Sequence, residues 1–428
     1  MIGPVRLKEL PPRELERLMG RNKVNLETVR DRVMEILRDV RLRGDQALIE
    51  YTERFDGVKL GRGSLRVEKE EFEQALGGLP KSLLKALKAA YRSIRLAHER
   101  QLLKKRVLVK RPGQMVAQIF VPLDSVGLYV PGGRAAYPST ALMLAVPAKV
   151  AGVQRIAVCT PPRRDGTVNP AVLAALRIAG VREVYRVGGV QAIAALAYGT
   201  ETIPKVSKIV GPGNIYVTAA KMLVYGEVGV EFPAGPTELI VFAGENADPE
   251  FVAADILSQA EHDPQAVPIL LTTSMRLGEA VLRRLERAEG AVKEALENWG
   301  AILLVDSLEE AADFINRFAP EHIALHMARP WKLVSKLRNV GAVSLGEYTP
   351  VPVLDYAMGP SHVLPTSGAA RYASGVSVFD FVRFFTVQRL TRRGLKRLRR
   401  VVEILAEAEG LKLHGEAVRV RFRRRREK

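Results

Sequence analysis

The run VGLYVPGGRAAYPSTALMLAVPAKVAGVQRIAVCTPP at 126–162 decides the fold class of this chain. A short β-rich segment ends in a Gly/Pro turn, an apolar helical segment follows, and a second β-rich segment comes after Gly152. The same alternation continues through NPAVLAALRIAG, VREVYRVGG, VQAIAALAYG, KIVGPGN and NIYVTAAKMLVYG. LIVFAGE then opens a second series, through FVAADILSQAEH, AVPILLTTS, LGEAVLRRLERAE, AILLVDS, LEEAADFINRFAP, HIALH and AVSLG. Strands alternating with helices of this length predict α/β architecture with doubly wound parallel sheets.

Working outward, residues 25–105 carry a helical pattern, with Val29, Val33, Ile36, Leu37 and Val40 on one face. From about 377 the chain again reads as helical, with Leu395, Leu398, Val402 and Leu405 aligned and Gly410 as a C-cap. The expected division is an N-terminal arm (1–20), one domain from 21–125 with 236–376, a second from 126–235, and a C-terminal helical arm (377–428). The 428 residues suffice for at least two cores.

The single cysteine, Cys159, excludes an intrachain disulfide and a Cys-ligated zinc site. The N-terminus lacks the apolar segment of a secretory signal, and no run of about 18 apolar residues occurs, so a cytoplasmic, non-membrane protein is expected. Net charge is +18, and residues 379–428 hold 16 Lys/Arg against 6 Asp/Glu. Such a tail could bind nucleic acid, but only Phe422 is interleaved with its terminal basic run, so a solvated terminus is expected instead. No GxGxxG fingerprint and no P-loop is present.

Histidine is sparse and unevenly placed. Of six, only His98 lies outside segments rich in carboxylates and amides. Gln259 and His262 share a helix face at spacing three, which suits two ligands of one metal or a polar surface. Glu321 and His322 begin a strand and form a candidate acid/base pair that could reach a cleft at the carboxyl edge of a sheet. His326 follows on the same strand face, where a chemically silent imidazole is the simpler reading. Asp355 lies in a Pro/Gly-punctuated loop, fit for a cation, a substrate amine or an Asx-turn; His362 could support it. Glu409 and His414 flank the Gly410 turn and could join such a site only if the arm folds back or reaches another subunit. Gly turns at 129–134, 187–191 and 211–214 could cradle a phosphate or approach a flat cofactor, each alone a weak signal, and a fourth Gly/Pro turn at 233–238 puts Thr237 and Glu238 near the join of the two series.

Together these segments resemble the histidinol dehydrogenase family across nearly the whole chain. The motifs carrying the resemblance are VGLYVPGGRAAYPSTALMLAVPAKVAGV, GGVQAIAALAYGTETIPKVSKIVGPGN, EFPAGPTE, DILSQAEH, APEH, LDYAMGPSHVLPTSGAARYASGVSVFDFV and AEAEGLKLH. The resemblance implies oxidation of L-histidinol to L-histidine through the aldehyde, the last steps of histidine biosynthesis, with two NAD used in sequence and one Zn2+ per site. It implies zinc ligands at Gln259, His262, Asp355 and His414, and a catalytic pair at Glu321 and His322. Substrate contacts would fall on Thr237, Gln259, His262, His322, Asp355, Glu409 and His414, and NAD contacts on Tyr129, Gln191 and Asn214. It further implies two incomplete Rossmann-like domains and a homodimer in which each C-terminal arm completes the partner's site. Thr237 stands where many members have Ser, and the basic tail after Val418 has no counterpart in that pattern. A dehydrogenase of another small alcohol, such as a sulfonated diol, is the rival on the same scaffold, but the Glu409 carboxylate would repel a sulfonate. A nucleic-acid-binding protein is the rival of another class, and it leaves the site residues without a role.

Overall fold

The computed structural model describes residues 1–21, 27–102, 105–132, 136–232 and 235–423. It has two compact units, Met1–Gln101 with Leu123–Phe381, and Leu102–Pro122 with Val382–Lys428. The first begins with β1 (Ile2–Arg6), α1 (Pro12–Met19), α2 (Glu27–Arg43), α3 (Asp45–Asp56), α4 (Lys69–Gly78) and α5 (Lys81–Gln101). The hairpin β2 (Lys105–Arg111) and β3 (Gln114–Pro122) belongs to the second unit.

The first unit resumes with β4 (Ser125–Tyr129), α6 (Pro138–Ala151), β5 (Arg155–Thr160), α7 (Pro170–Ile178), β6 (Glu183–Arg186), α8 (Gly189–Tyr198), β7 (Lys208–Val210), α9 (Ile215–Val224) and β8 (Gly229–Val230). The second series comprises β9 (Glu238–Ala243), α10 (Pro249–Ala260), β10 (Val267–Thr272), α11 (Met275–Leu285), α12 (Gly290–Trp299), β11 (Ala301–Leu304), α13 (Leu308–Phe318), β12 (His322–His326), α14 (Trp331–Val334) and β13 (Ala342–Leu345). A short α15 (Val351–Val353) runs into a wider helical turn, Leu354–Met358.

The two parallel sheets repeat one topology. Their orders are β6-β5-β4-β7-β8 and β1-β11-β10-β9-β12-β13. In each, the first strand of the series is central, the next two extend to one side and the last two to the other. The order therefore reverses between β4 and β7, and between β9 and β12, which is the half-Rossmann pattern. The α/β expectation holds.

Strand composition explains the layering. Along β9, Leu239, Val241 and Ala243 enter one core while Ile240 and Phe242 enter the core on the opposite face, as a period of two demands. Both faces are covered, so the strand reads as a continuous apolar run.

The structure departs from the expected grouping of 21–125 with 236–376. Helix α2 packs on α8 and α9, α4 on α7, and α5 on α6. The reason is legible in α6, where every residue from Thr140 to Ala148 is buried. A helix apolar on all sides needs a second cover beyond its sheet, and the amphipathic α2–α5 supply it. The N-terminal arm is likewise no free arm: β1 pairs in parallel with β11, and Leu10 and Leu18 enter the second sheet's core.

In the second unit, the expected helical C-terminal arm begins instead as β14 (Val382–Leu390), paired antiparallel with β3 along its whole length. Its VRFFTVQRL sequence is rich in the branched and aromatic residues that suit a strand. The helices α16 (Arg392–Ala408) and α17 (Lys412–Arg419) follow, and Phe422 lies under Arg392 and Arg399. Among the described residues no helix is long and apolar enough to cross a membrane.

Candidate active site

The Glu321–His322 pair lies at the amino edge of the second sheet, opposite to the carboxyl-edge expectation. His322 is the first residue of β12, and its neighbour β9 begins at Glu238, just after Thr237. Helix α10 follows β9 and returns the chain to the edge where that strand began. Gln259 in its last turn and His262 just beyond it therefore reach the same edge. A parallel strand–helix unit always delivers a helix C-terminus beside the strand starts, and this site uses that meeting point.

Local backbone fixes the carboxylate. Ala319 adopts a left-handed conformation (φ 56°) where α13 ends, and Glu321 follows two residues on. A Cβ on Gly341 would lie 2.5 Å from the Glu321 carbonyl oxygen, so the adjoining strand entry admits only glycine without a shift. Glu321 Oε2 accepts from Thr237 Oγ1 at 2.5 Å and from the Glu238 amide at 2.9 Å. The Gln259 amide nitrogen in turn donates to Thr237 Oγ1. Thr237 is thus the hinge of a Gln259–Thr237–Glu321 chain.

His322 Nε2 stands 3.8 Å from Glu321 Oε1 and 3.9 Å from Asp355 Oδ1, too far for hydrogen bonds and close enough for coupled charge. All three residues are buried. Asp355 sits in the helical turn after α15, not in an open loop. His362 is tied at both nitrogens, Nδ1 to the Asp355 carbonyl oxygen and Nε2 to Thr140 Oγ1, each at 2.8 Å. Its ring thereby ties the Asp355 turn to α6.

Burial sets the protonation states. It pushes Asp355 up to about 7. Glu321 rises well above the usual carboxylate range, chiefly from burial and further from the Glu238 and Asp355 charges, against the Thr237 and Glu238 hydrogen bonds. His322 is pulled down to about 3 by burial, then by His362 and His262. Its imidazole is therefore neutral near pH 7 and can accept a proton. His262 is exposed at the rim, yet the protein around it lowers its pKa, with Glu261 opposing.

Two buried acids without a counter-charge beside two neutral imidazoles suit a divalent cation. Gln259, with its amide nitrogen engaged, would offer oxygen, His262 nitrogen and Asp355 a carboxylate, a set zinc accepts. Among the described residues, no three His, Cys, Asp or Glu side chains converge on a common metal position. Glu409 and His414 belong to the second unit, where both are exposed.

Sequence reading missed Arg21. Its guanidinium grips the fully buried Glu238 at 2.8 and 3.1 Å, donates to the Phe318 carbonyl and stacks on the Phe318 ring. A carboxylate inside the apolar run ELIVFA was the available signal, but its partner lies 217 residues away. The remaining histidines are structural. His326 ends β12 at the opposite, carboxyl edge and binds Asp255 at 2.8 Å, while His98 ties α5 to the Pro360 carbonyl.

The first sheet presents its carboxyl edge. Tyr129 ends β4 and its hydroxyl accepts from the Gly189 amide at 3.1 Å. Gln191 opens α8 and is 1% exposed, yet neither its amide nitrogen nor its oxygen has a hydrogen-bond partner. Asn214 caps α9, accepting from the Tyr216 and Val217 amides. Gly211 (φ 141°) brings this turn so close that a Cβ would meet the Tyr129 carbonyl oxygen at 2.1 Å. The turns after β4, β6 and β7 thus meet at the carboxyl edge beside the topological switch point between β4 and β7, where α/β sheets bind ligands. The orphaned Gln191 amide fits a cofactor that both donates and accepts there. Of the Gly turns singled out above, Gly133 and Arg134 of the first, and Pro233 and Ala234 of the last, lie outside the described residues.

Comparison with known proteins agrees along the whole chain. The histidinol dehydrogenase family model matches residues 19–422. The histidinol dehydrogenase of Methanosarcina barkeri is 49% identical over 424 residues, 97% of each chain. That of a Synechococcus strain is 49% identical over 415 residues, 95% of this chain and 96% of its own. The crystal structure of histidinol dehydrogenase from Elizabethkingia anophelis superposes with a TM-score of 0.92 at 37% identity, covering 98% of both chains. Fold, full-length coverage and identity together place this chain in the histidinol dehydrogenase family.

Proposed function

We propose that this chain oxidises L-histidinol to L-histidine in two steps at the amino edge of the second sheet, using NAD and zinc. The observation that carries the reading is His322, a buried and neutral imidazole flanked by Glu321 and Asp355. In the first step His322 takes the hydroxyl proton of histidinol as hydride leaves its carbon, giving the aldehyde. In the second, water adds to the aldehyde carbon. Glu321, made more basic by burial, takes one proton from that water, a second hydride leaves to give the carboxylic acid, and the acid's own proton passes to solvent to leave the carboxylate. Positive charge brought by the substrate favours the ionised form of Glu321 for this step.

Zinc held by Gln259, His262, Asp355 and His414 would fix the substrate's imidazole and amine and polarise its oxygen. NAD at the Tyr129–Gln191–Asn214 crevice would accept one hydride per step. Glu409 would pair with the cationic part of the substrate. His414 and Glu409 serve this reading as residues of a partner subunit in a homodimer. The second unit supports that assignment, because it exposes Phe384, Phe385, Val401, Ile404, Leu405 and Leu413. An apolar surface of this kind marks a protein interface.

The direct test is NAD reduction with L-histidinol, with and without a chelator, against a sulfonated diol. Two NADH per histidinol, lost on chelation and absent with the diol, support the reading. Turnover of the diol with no response to histidinol would exclude it. His414→Ala is expected to weaken zinc retention by at least about 10- to 100-fold, the range for disturbing even outer-shell partners. Metal analysis showing wild-type zinc content after dialysis would remove His414 from the ligand set.

A further inference from the structure

Asp255 and His326 form a buried pair that the reaction above does not use. Their side chains are 5% and 3% exposed, and His326 Nε2 lies 2.8 Å from Asp255 Oδ2. His326 Nδ1 is buried and has no hydrogen-bond partner. A hydrogen there would lack an acceptor, so the ring carries its hydrogen on Nε2 and donates it to the carboxylate. The pair stands in a largely apolar layer, where Ala253, Ile256 and Ala260 of α10 meet Val241, Ala243 and Ala324 of the second sheet.

The pair joins the two elements that carry most of the proposed site. Along β12, His322, Ala324 and His326 share one face, as a period of two requires, and Ala324 turns that face toward α10. Along α10, Asp255 and Gln259 are both buried and one turn apart on the same side. His326 is thus the far end of the strand face that begins at His322, and Asp255 lies one turn back from Gln259. Among the described residues, their bond is the only hydrogen bond between α10 and β12.

Stability alone does not account for such a pair. Replacing both partners of a buried hydrogen bond by apolar groups of the same shape is often neutral or stabilising, whereas removing one strands the other. What the pair adds is direction. Alanines on both surfaces give little relief, and apolar attraction is non-directional, so it holds the helix weakly against sliding along the strand. A hydrogen bond is short and directional, and a slide of α10 by one residue's rise, about 1.5 Å, would break it. The Gln259 and His262 side chains would move with the helix relative to His322. A displacement of about 1 Å at reacting groups can cost on the order of 10²-fold in rate.

We propose that Asp255 and His326 are positioning residues whose bond sets α10 along β12, and with it the distance from Gln259 and His262 to His322. The inference rests on the zinc and general-base reading above. The test uses the full-length, zinc-loaded protein and measures melting temperature, zinc affinity by chelator competition, and kcat for histidinol. Asp255→Ala/His326→Leu roughly conserves volume and leaves no buried polar group behind. It is expected to melt close to wild type, to hold zinc about 10-fold more weakly and to lose kcat by about 10- to 10²-fold. His326→Gln and Asp255→Asn each keep a donor facing an acceptor, and both are expected to stay near wild type in all three measurements.

Asp255→Ser/His326→Met repeats the measurement should the first pair fail to fold, because the hydroxyl can bond within the helix and Met adapts to the space. A folded double variant with wild-type zinc affinity and kcat overturns the proposal. Conservative variants that lose as much as the double variant also overturn it, since the bond would be present and the site still displaced. A wild type that binds zinc but does not oxidise histidinol overturns the functional reading alone, and the zinc affinities still decide the role of the pair. A wild type that binds no zinc overturns the metal reading and this inference together.

Discussion

His322→Ala lowers kcat for histidinol oxidation by about 10²-fold or more, while zinc content and KM stay near wild type. The magnitude is the usual worth of a positioned general base. The distinction between kcat and KM follows from place. His322 is the first residue of β12, held by a parallel ladder to β9 and β13, and its ring is buried beside two acids. It is not among the proposed metal ligands, so its loss leaves the Gln259, His262 and Asp355 donors in place. The vacated volume also lies at a strand end, so the sheet register is kept. His322→Gln keeps polarity without basicity and should fall as far. Turnover within a few-fold of wild type in either variant would remove His322 as the base and leave Glu321 to act in both steps.

How this site forms shows what a linear sequence can carry. The alternation that starts at Val126 was enough for the two parallel sheets, because strands buried on both faces and apolar helices leave a continuous signal. Candidate site residues could also be named, since histidine is sparse and the family motifs are specific. Their edge was not. Glu321 and His322 read as the start of a strand, and the carboxyl-edge rule for ligands pointed the wrong way. What overrode it was the return path of α10, which brings Gln259 and His262 to the strand starts. Likewise α2 and α5 displayed their apolar faces, but nothing local said that α6, α8 and α9 would receive them. The strand β14 was hidden because its partner β3 lies more than 250 residues earlier and its basic residues blend into the helical arm. Pairings over such distances depend on tertiary context, which propensity does not encode.

Arg21→Ala should be the most damaging single change outside the chemistry, costing about 3–5 kcal/mol of stability. The loss is not that of a surface pair. Arg21 is 3% exposed and Glu238 is 0% exposed, so removing the guanidinium strands a carboxylate in the core of the second sheet. Burial already pushes the Glu238 carboxyl up, and Arg21 supplies the main opposing pull, helped by the Ser367 amide. The neutral double variant Arg21→Ala/Glu238→Gln separates the causes. If the orphaned charge dominates, the double variant melts closer to wild type than Arg21→Ala does; if lost packing on the Phe318 ring dominates, the two melt together. The pair also bears on catalysis. The Glu238 amide holds Glu321, and the Glu238 charge helps raise it. With Arg21 gone, that charge is less screened and Glu321 is pushed higher still, so the half-reaction that starts from the aldehyde should slow more than the one that starts from the alcohol. A variant that melts with the wild type and slows neither half-reaction would show that Arg21 only fills space.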